Sequence, residues 1–361
     1  MAATRQPYRA AIIGTGRIAS RLERDPLRGK PCTHAGHYRA CADTALVAGC
    51  DIDPDALAAF GADWGIGREH LYPSYLEMLE RERPDIVSVC AYAPERVAMC
   101  RAAIAAGVRG LWIEKAVACS MEEAHALERE VGERGVAIVV DHPRRLEARY
   151  RAVRRWIHDE VLGRLESVHA IFSGCLLHTG THAWDALIDW CGPWASVTTV
   201  LDPAGRDADG RTTAAGGTAF DARDDRGGRA HVGFDSGVEA FVSGASKDYF
   251  IFQFDLVFSR GRVRIGNDAW EVLRPSPSPR YTGFEELAAV APDALVTPDD
   301  EHPRSMLGDL VHAMDTGEVP SASLRSAIDA LSLGMACMQS GATRQVVTPR
   351  SLSPSWRTES R

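Results

Sequence analysis

A glycine-rich segment directly after the first apolar run constrains the fold of this chain more than any other feature. Gly14-Thr15-Gly16-Arg17-Ile18-Ala19 follows a predicted strand at 8–13. The segment fits G-x-G-x-x-(G/A), in which the first glycine permits a tight turn and the second lets a pyrophosphate approach the backbone. We therefore assign dinucleotide binding to Gly14, Thr15, Gly16, Arg17 and Ile18, at the start of a helix whose dipole favours negative charge. The alternative is a glycine turn in a similar domain that binds nothing.

The rest of the first 140 residues alternates short apolar runs with amphipathic stretches. Strands are predicted at 8–13, 46–51, 85–91, 110–113 and 136–140. Helices are predicted at 54–64, 74–81, 94–106 and 120–134. Buried runs that alternate with helices indicate βαβ units and a parallel sheet. Residues 1–140 are therefore predicted to form a Rossmann dinucleotide-binding domain.

An acidic residue at the end of the second strand indicates which dinucleotide is bound. Asp51 comes directly after the apolar run, whereas Asp53 precedes Pro54 and is typical of a helix cap. A carboxylate at this position accepts both ribose hydroxyls and repels a 2′-phosphate. An insertion between Arg21 and Ala40 explains why Asp51 lies farther from Gly16 than usual. The sequence thus favours NAD over NADP, with Asp51 as the ribose ligand.

After residue 141 the pattern changes to that of a second domain, 141–361. It predicts a helix at 147–160, a strand at 165–173, a helix at 181–191 and late helices at 306–316 and 324–340. Between 213 and 271 polar and apolar residues alternate without helices, which favours an antiparallel sheet. PSPSP at 275–279 predicts a loop, because proline cannot sit inside a central strand. The fold class is therefore α/β, a Rossmann sheet followed by an α+β substrate domain.

Composition excludes several classes of protein. The net charge is −8 and the arginines are interleaved with acidic residues, so nucleic acid is not the expected partner. The nine cysteines form no C-x-x-C pair, which argues against a zinc site or a disulfide framework. No apolar run reaches the roughly 20 residues of a membrane-spanning helix, and no signal peptide is evident. We expect a soluble, cytoplasmic protein.

Glu114-Lys115 ends the predicted strand at 110–113, at the carboxyl edge of the sheet where ligands bind. A lysine there can hydrogen-bond a substrate hydroxyl and stabilise its developing negative charge. The alternative is a surface ion pair.

With these motifs in this order, the chain resembles the Gfo/Idh/MocA oxidoreductases, which include glucose-fructose oxidoreductase and inositol dehydrogenases. GTGRIA, AAIAAGVRGLWIEKA and the His-x-x-Asp element at 182–185 carry the resemblance, which covers nearly the whole chain. It implies a large, open, mostly antiparallel sheet in the second domain. That sheet commonly forms the oligomer interface, so a homodimer or homotetramer is expected. The last helix, 324–340, is expected to pack back toward the first domain.

The resemblance also implies roles for a second group of residues. His182 matches the family's acid/base histidine, and imidazole suits proton transfer near neutral pH. Lys115 would polarise the same oxygen while a hydride passes between the carbinol carbon and C4 of the nicotinamide. His178 stands where the family has aspartate, and is expected to share the proton relay or to mark a different substrate. Ala116 replaces the proline of the family's Glu-Lys-Pro signature, which should loosen the turn. Substrate contacts are predicted for Lys115, His178, Thr181, His182 and Arg145, and cofactor contacts also for Glu114 and Lys115.

Several alternatives stay open. Asp185 either orients His182 or bonds to backbone or an arginine, and Arg144 and Arg145 either reach the ligand or pair locally. No metal is predicted, because Gly180 and the helix start weaken the geometry that His178, His182 and Asp185 would need. The leading function is an NAD(H)-dependent oxidoreductase acting on a sugar, cyclitol or sugar derivative. The others are an enzyme that retains and recycles NAD, as in epimerisation or glycoside cleavage, and a non-catalytic NAD-binding sensor or partner subunit.

Overall fold

A computed structural model describes residues 6–203, 225–245, 248–301 and 304–358. These residues form two compact units. The first comprises the described parts of Met1–Ala118, Glu122–Asp141 and Ser305–Arg325, and the second those of Cys119–Met121, His142–Arg304 and Ser326–Arg361. None of the helices in the described part of the chain combines the length and apolar composition needed to cross a bilayer.

The first unit contains a six-stranded parallel sheet in the order β3-β2-β1-β4-β5-β6, the strand order typical of dinucleotide-binding domains. Its strands are β1 (Tyr8–Ile13), β2 (Thr44–Cys50), β3 (Leu71–Tyr72), β4 (Ile86–Val89), β5 (Gly110–Ile113) and β6 (Ala137–Val140). Its helices are α1 (His34–Ala40), α2 (Pro54–Trp64), α3 (Tyr75–Glu82), α4 (Ala93–Ala105) and α5 (Met121–Arg134), together with a later helix given below. β4 and β5 are buried along their whole length, as expected for strands covered on both faces.

The segment after the glycine loop differs from the predicted helix. It forms a turn that continues into a 3-10 helix at Arg21–Arg24, and the first α-helix starts only at His34. Pro26 explains the early stop, because the residue before a proline is pushed out of the helical region, and Asp25 has an extended backbone. Ala19 is fully buried, as predicted for the small residue that lets this segment lie against the sheet.

Residues 305–325 belong to the first unit, although the sequence assigns them to the second domain. Their helix, α9 (Met306–Thr316), covers the sheet at Gly110, where an added Cβ would lie 2.5 Å from the Met314 sulfur. Tyr8 Oη donates to Asp315 Oδ1 at 2.6 Å. The chain then pairs with β6, since Val140 N donates to Ala322 O at 2.9 Å. Sequence periodicity locates a helix but does not show which sheet it covers.

The second unit is built on an eight-stranded sheet in the order β14-β13-β12-β11-β7-β10-β9-β8, antiparallel except between β7 and β10. Its strands are β7 (Leu165–Ser173), β8 (Trp194–Leu201), β9 (Gly228–Phe234), β10 (Glu239–Ala245), β11 (Phe252–Phe258), β12 (Gly261–Gly266), β13 (Trp270–Pro277) and β14 (Glu285–Val290). Its helices are α6 (Ala148–His158), α7 (Thr181–Cys191), α8 (Pro298–Glu301) and α10 (Leu324–Thr343), of which α10 belongs to this unit from Ser326 on. The predicted fold class is therefore confirmed, while the strands predicted from 213 to 224 lie outside the described residues.

One face of this sheet is buried and the other is open. Along β7, Val168, Ala170 and Phe172 are buried, whereas His169 and Ile171, which alternate with them, are exposed. Strict alternation of this kind is typical of an antiparallel sheet that packs on one side only.

The loop predicted at 275–279 is wrong, because its first three residues lie in β13. Pro275, Ser276 and Pro277 pair with β14, whereas β12 pairs with β13 only as far as Leu273. Beyond Leu273, none of the described strands lies on one side of β13, and prolines two residues apart turn their nitrogens to the same side. Such an edge tolerates proline, since no hydrogen-bond donor is required there.

Candidate functional site

The glycine loop lies at the carboxyl end of β1 and presses against the end of β4. Gly14 has φ +87°, and an added Cβ would lie 3.0 Å from Ala91 N and from the Cys90 carbonyl carbon. At Gly16 an added Cβ would meet only a terminal nitrogen of Arg21, at 3.9 Å. The loop is therefore tight at its first glycine and open at its second, as the approach of a pyrophosphate to the backbone requires.

Asp51 contacts this loop from the end of β2. Its Oδ2 accepts hydrogen bonds from Thr15 N at 2.7 Å and Thr15 Oγ1 at 3.1 Å, and its Oδ1 accepts one from Asp53 N at 2.9 Å. Asp53 caps α2 by accepting from Asp55 N and Ala56 N, so its predicted role as a helix cap is confirmed. Within the loop, Thr15 is buried, Ile18 half-buried and Arg17 exposed. The loop and Asp51 thus form one polar edge that fits a dinucleotide.

Glu114 and Lys115 follow β5 directly, at the same carboxyl edge of the parallel sheet. The peptide bond between Lys115 and Ala116 is cis. Arg96 is buried on α4, and its guanidinium donates to Ala91 O at 2.6 Å and to Ala116 O. This arginine connects the end of β4 with the turn after Lys115 and so fixes the backbone on which the lysine is mounted.

Glu114 points into the first unit, where a network of buried polar groups surrounds it. His34 Nε2 lies 3.5 Å from Glu114 Oε1, and His34 Nδ1 lies 2.9 Å from Ser88 Oγ. Ser88 Oγ also lies 2.8 Å from Tyr38 Oη, and the His34 ring packs on Trp112 with centroids 3.8 Å apart. Burial acts to raise the pKa of Glu114, but the hydrogen bond with His34 and nearby positive charges outweigh it and hold that pKa below its usual value. Glu114, for which a cofactor contact is predicted, contacts His34 in this structure.

Asp141, which the sequence does not single out, completes this cluster at the end of β6. Its Oδ1 accepts a hydrogen bond from Trp112 Nε1 at 3.2 Å. Donor or acceptor atoms of Asp141, Glu114 and His34 all lie within 4.8 Å of one another, close enough to share a proton or a cation. Burial, and then the neighbouring Glu114 carboxylate, raise the pKa of Asp141 to about 7.

The second group of predicted residues gathers around the start of α7 in the second unit. Thr181 begins the helix and His182 follows it. His142, a residue the sequence does not single out, is buried, with Nε2 3.1 Å from Thr181 Oγ1. The rings of His142 and His182 lie edge to face with centroids 5.6 Å apart, and the His182 ring also meets Phe252 edge to face. The structure thus adds a second imidazole to the predicted acid/base residue.

Arg145, for which a substrate contact is predicted, takes part in a buried ion-pair cluster. Arg145 is buried, and its guanidinium donates to Asp185 Oδ1 at 2.8 Å and to Asp189 Oδ1 at 2.7 Å. Of the alternatives for Asp185, pairing with an arginine is therefore the one observed, and His142 Nδ1 lies 3.5 Å from Asp185 Oδ1. Burial raises the pKa of Asp185 to about 7 even though the charge of Arg145 acts in the opposite direction. A buried arginine shared by two carboxylates fixes the 3-10 turn at Pro143–Arg145 to α7.

Arg144 and His178 are more accessible than Arg145. The Arg144 guanidinium carbon lies 3.8 Å from the Phe252 ring centroid, a cation–π contact on the same ring that meets His182. His178 is exposed in the turn before α7, where its backbone N donates to Asp225 Oδ2 at 2.7 Å. Arg144 and His182 therefore share Phe252 as a contact partner.

Comparison with known proteins agrees with this geometry. Residues 8–142 match a family model described as an oxidoreductase family with an NAD-binding Rossmann fold, GFO_IDH_MocA. The chain is 27% identical over 174 residues to D-apiose dehydrogenase of Paraburkholderia graminis, a match that covers 46% of this chain and 42% of that protein. It is 26% identical over 183 residues to D-glucoside 3-dehydrogenase of Escherichia coli, covering 51% of this chain and 47% of that protein. The chain thus matches less than half the length of either relative.

A solved structure extends the similarity in fold to almost the whole chain. An oxidoreductase from Agrobacterium radiobacter, solved in complex with NAD+, L-tartaric acid and magnesium, has a TM-score of 0.72 and 17% identity over 96% of this chain and 100% of its own. At this level of identity the likeness establishes the fold alone. Residues 8–142 are therefore similar in sequence to the GFO_IDH_MocA oxidoreductase family, and the chain as a whole shares the fold of the solved structure.

Proposed function

We propose that the protein is an NAD-dependent dehydrogenase that oxidises a carbinol carbon of a sugar, cyclitol or sugar derivative, or reduces the corresponding ketone. One observation carries the proposal. The glycine loop, Asp51 and Lys115 all stand at the carboxyl edge of one parallel sheet, after β1, β2 and β5. Ligands bind at this edge in doubly wound folds. The two curated relatives, both sugar dehydrogenases by name, support a polyhydroxylated substrate.

The residues divide the work of binding and proton transfer. The amides of the loop from Gly14 to Ile18 would hold the pyrophosphate, and the Asp51 carboxylate would accept the ribose hydroxyls, which favours NAD over NADP. When bound, this cofactor accepts or returns the hydride. Lys115 would hydrogen-bond the reacting oxygen and stabilise its partial negative charge. His182 would take or give the hydroxyl proton, with His142 holding the neighbouring Thr181 in place.

Replacement of the two proposed reactive residues tests this assignment. We expect Lys115→Ala and His182→Ala each to lower kcat by roughly 10²–10⁴-fold with NAD and a panel of polyols, because each removes a group that acts on the reacting oxygen. NADH absorbance measures turnover, and NAD titration shows that the cofactor still binds.

Matched variants of the same residue types provide the control. Lys30→Ala and His158→Ala change exposed side chains that are not among the predicted site residues, and both should keep wild-type turnover. If Lys115→Ala and His182→Ala also retain wild-type rates, the assigned roles are wrong.

A further inference from the structure

Two carboxyl groups lie side by side next to the proposed catalytic lysine. Ile113 of β5 is in register with Val140 of β6, so Glu114 and Asp141 occupy equivalent positions just beyond the ends of adjacent strands. Their oxygens lie within 4.8 Å of each other. Lys115 follows Glu114 directly and acts electrostatically on both carboxyl groups.

The surroundings of the two carboxyl groups differ, and this decides which of them carries a proton. Glu114 faces His34 at 3.5 Å and is stabilised as an anion by the charges of Lys115 and Arg96. Asp141 Oδ1 accepts its hydrogen bond from the neutral Trp112 Nε1–H. Two adjacent carboxyl groups, one buried and one half-buried, do not both ionise readily, so the less stabilised one keeps its proton.

Other groups packed against the pair agree with this assignment. From the end of β4, the Cys90 thiol has its pKa raised by burial and then by the nearness of Glu114 and Asp141, so it stays neutral. From α1, His34 acts to lower the pKa of both carboxyl groups, and Lys115 does the same. For Asp141 these effects do not outweigh burial and the Glu114 charge, and its pKa is raised to about 7.

We propose that Asp141 holds a proton beside the Glu114 carboxylate and exchanges it with Lys115 during turnover. This role rests on the proposed function, and Asp141 acts through Lys115 without touching the substrate. In oxidation, Asp141 first gives its proton to water, which accounts for the proton released when an alcohol becomes a ketone. The Lys115 ammonium then gives a proton to ionised Asp141, and the resulting amine takes up the proton of the substrate hydroxyl, directly or by way of His182. In reduction the same steps run backwards.

Infrared titration tests the protonation of Asp141 without any need for activity. The full-length wild type should show a carbonyl band of a protonated carboxylic acid that disappears as the pH rises through about 7. Asp185 should contribute a similar band, so the difference between the wild type and Asp141→Asn isolates Asp141. The asparagine keeps the oxygen that accepts from Trp112, which preserves the local structure. Asp55→Asn, on the exposed first turn of α2, is the control and should leave the band unchanged. A full wild-type band in Asp141→Asn overturns the proposal.

The pH dependence of turnover tests the exchange with Lys115. With a polyol that the wild type oxidises, kcat/KM should rise as the pH rises to about 7 and level off above it, because the exchange needs ionised Asp141. In Asp141→Asn this pH dependence should be lost, and kcat/KM should be about tenfold lower. An unchanged profile in Asp141→Asn shows that the exchange is wrong while the proposed function stands. If the wild type oxidises no polyol, the proposed function and the exchange both fail, and the infrared result still decides whether Asp141 is protonated. A stoichiometric divalent cation in the purified protein, lost in Asp141→Asn, would also overturn the proposal, because a cation there would displace the proton.

Discussion

Gly14 and Gly107 have the same backbone dihedral, φ +87°, but different surroundings. A Cβ at Gly107 would meet nothing within 4 Å, whereas one at Gly14 would press on backbone atoms of Cys90 and Ala91. Alanine in this left-handed region costs roughly 1–2 kcal/mol, and only at Gly14 does a steric cost add to it. We expect Gly14→Ala to be the more destabilising and to weaken NAD binding by at least about tenfold, as measured by urea denaturation and NAD titration.

Gly107→Ala is the control for backbone strain alone. It should lose stability within the range expected for strain and bind NAD like the wild type. Equal losses of stability and affinity in the two variants would show that the close approach of the loop to β4 has no energetic consequence.

At the residue scale, the sequence predicts the parts of the site that follow one another along the chain. Gly14 and Asp51 are recognisable because each follows a strand at a fixed place in a known pattern. Asp141 also follows a strand, and this position is the signal that could have identified it. His34 lies in a segment interpreted as an insertion, and only the folded chain brings it to Glu114. Long-range contacts of this kind leave no periodicity in a single sequence.

At the scale of elements, the short 3-10 turn at Pro143–Arg145 is held to α7 by a buried ion-pair cluster. We expect Arg145→Met to destabilise the protein by roughly 3–5 kcal/mol, because it leaves Asp185 and Asp189 without their buried partner. Guanidinium denaturation measures the change. The control is Arg164→Met, which removes an exposed arginine paired with Glu166 and should cost about 0–1 kcal/mol. Similar losses in the two variants would contradict a structural role for Arg145.

Elements with clear boundaries in the sequence were predicted to the residue. β1, β5, β7, α2, α7 and α9 match their predicted ranges, because apolar periodicity and flanking glycine or proline fix both ends. The sequence does not predict α1, β3, β8, β14 or α8. β3 has only two residues, too few to show alternation, and α1 lies in a stretch whose glycine, proline and histidine content is typical of a loop. The edge position that lets β13 contain prolines is likewise a property of the sheet and not of the strand.

At the scale of the whole molecule, the open face of the eight-stranded sheet presents apolar groups to the surroundings. Phe241 is 43% exposed and lies between the rings of His169 and His231, with centroids at 5.1 and 4.9 Å. Ile171 is exposed on the same face. Since contiguous apolar surface commonly marks an interface, we expect a homodimer or homotetramer, and expect Phe241→Glu to weaken its association by at least about tenfold. Sedimentation over a range of concentrations measures this change.

Val319→Glu, which changes an equally apolar but isolated residue of the first unit, is the matched control and should not alter the mass. A monomeric wild type, or the same oligomer mass for Phe241→Glu and Val319→Glu, would show that the open face is not the oligomer interface.

The return of residues 305–325 to the first unit makes that unit discontinuous along the chain. During synthesis, β1 to β6 emerge early, but α9 and the segment that hydrogen-bonds to β6 follow only after the whole of 142–304. The nascent dinucleotide domain must therefore wait, with one side of its sheet uncovered at Gly110 and β6 unpaired at its outer edge, while the ribosome makes the intervening domain. A fragment that stops at Asp141 would carry the entire nucleotide fingerprint and still lack the helix that closes its own hydrophobic core.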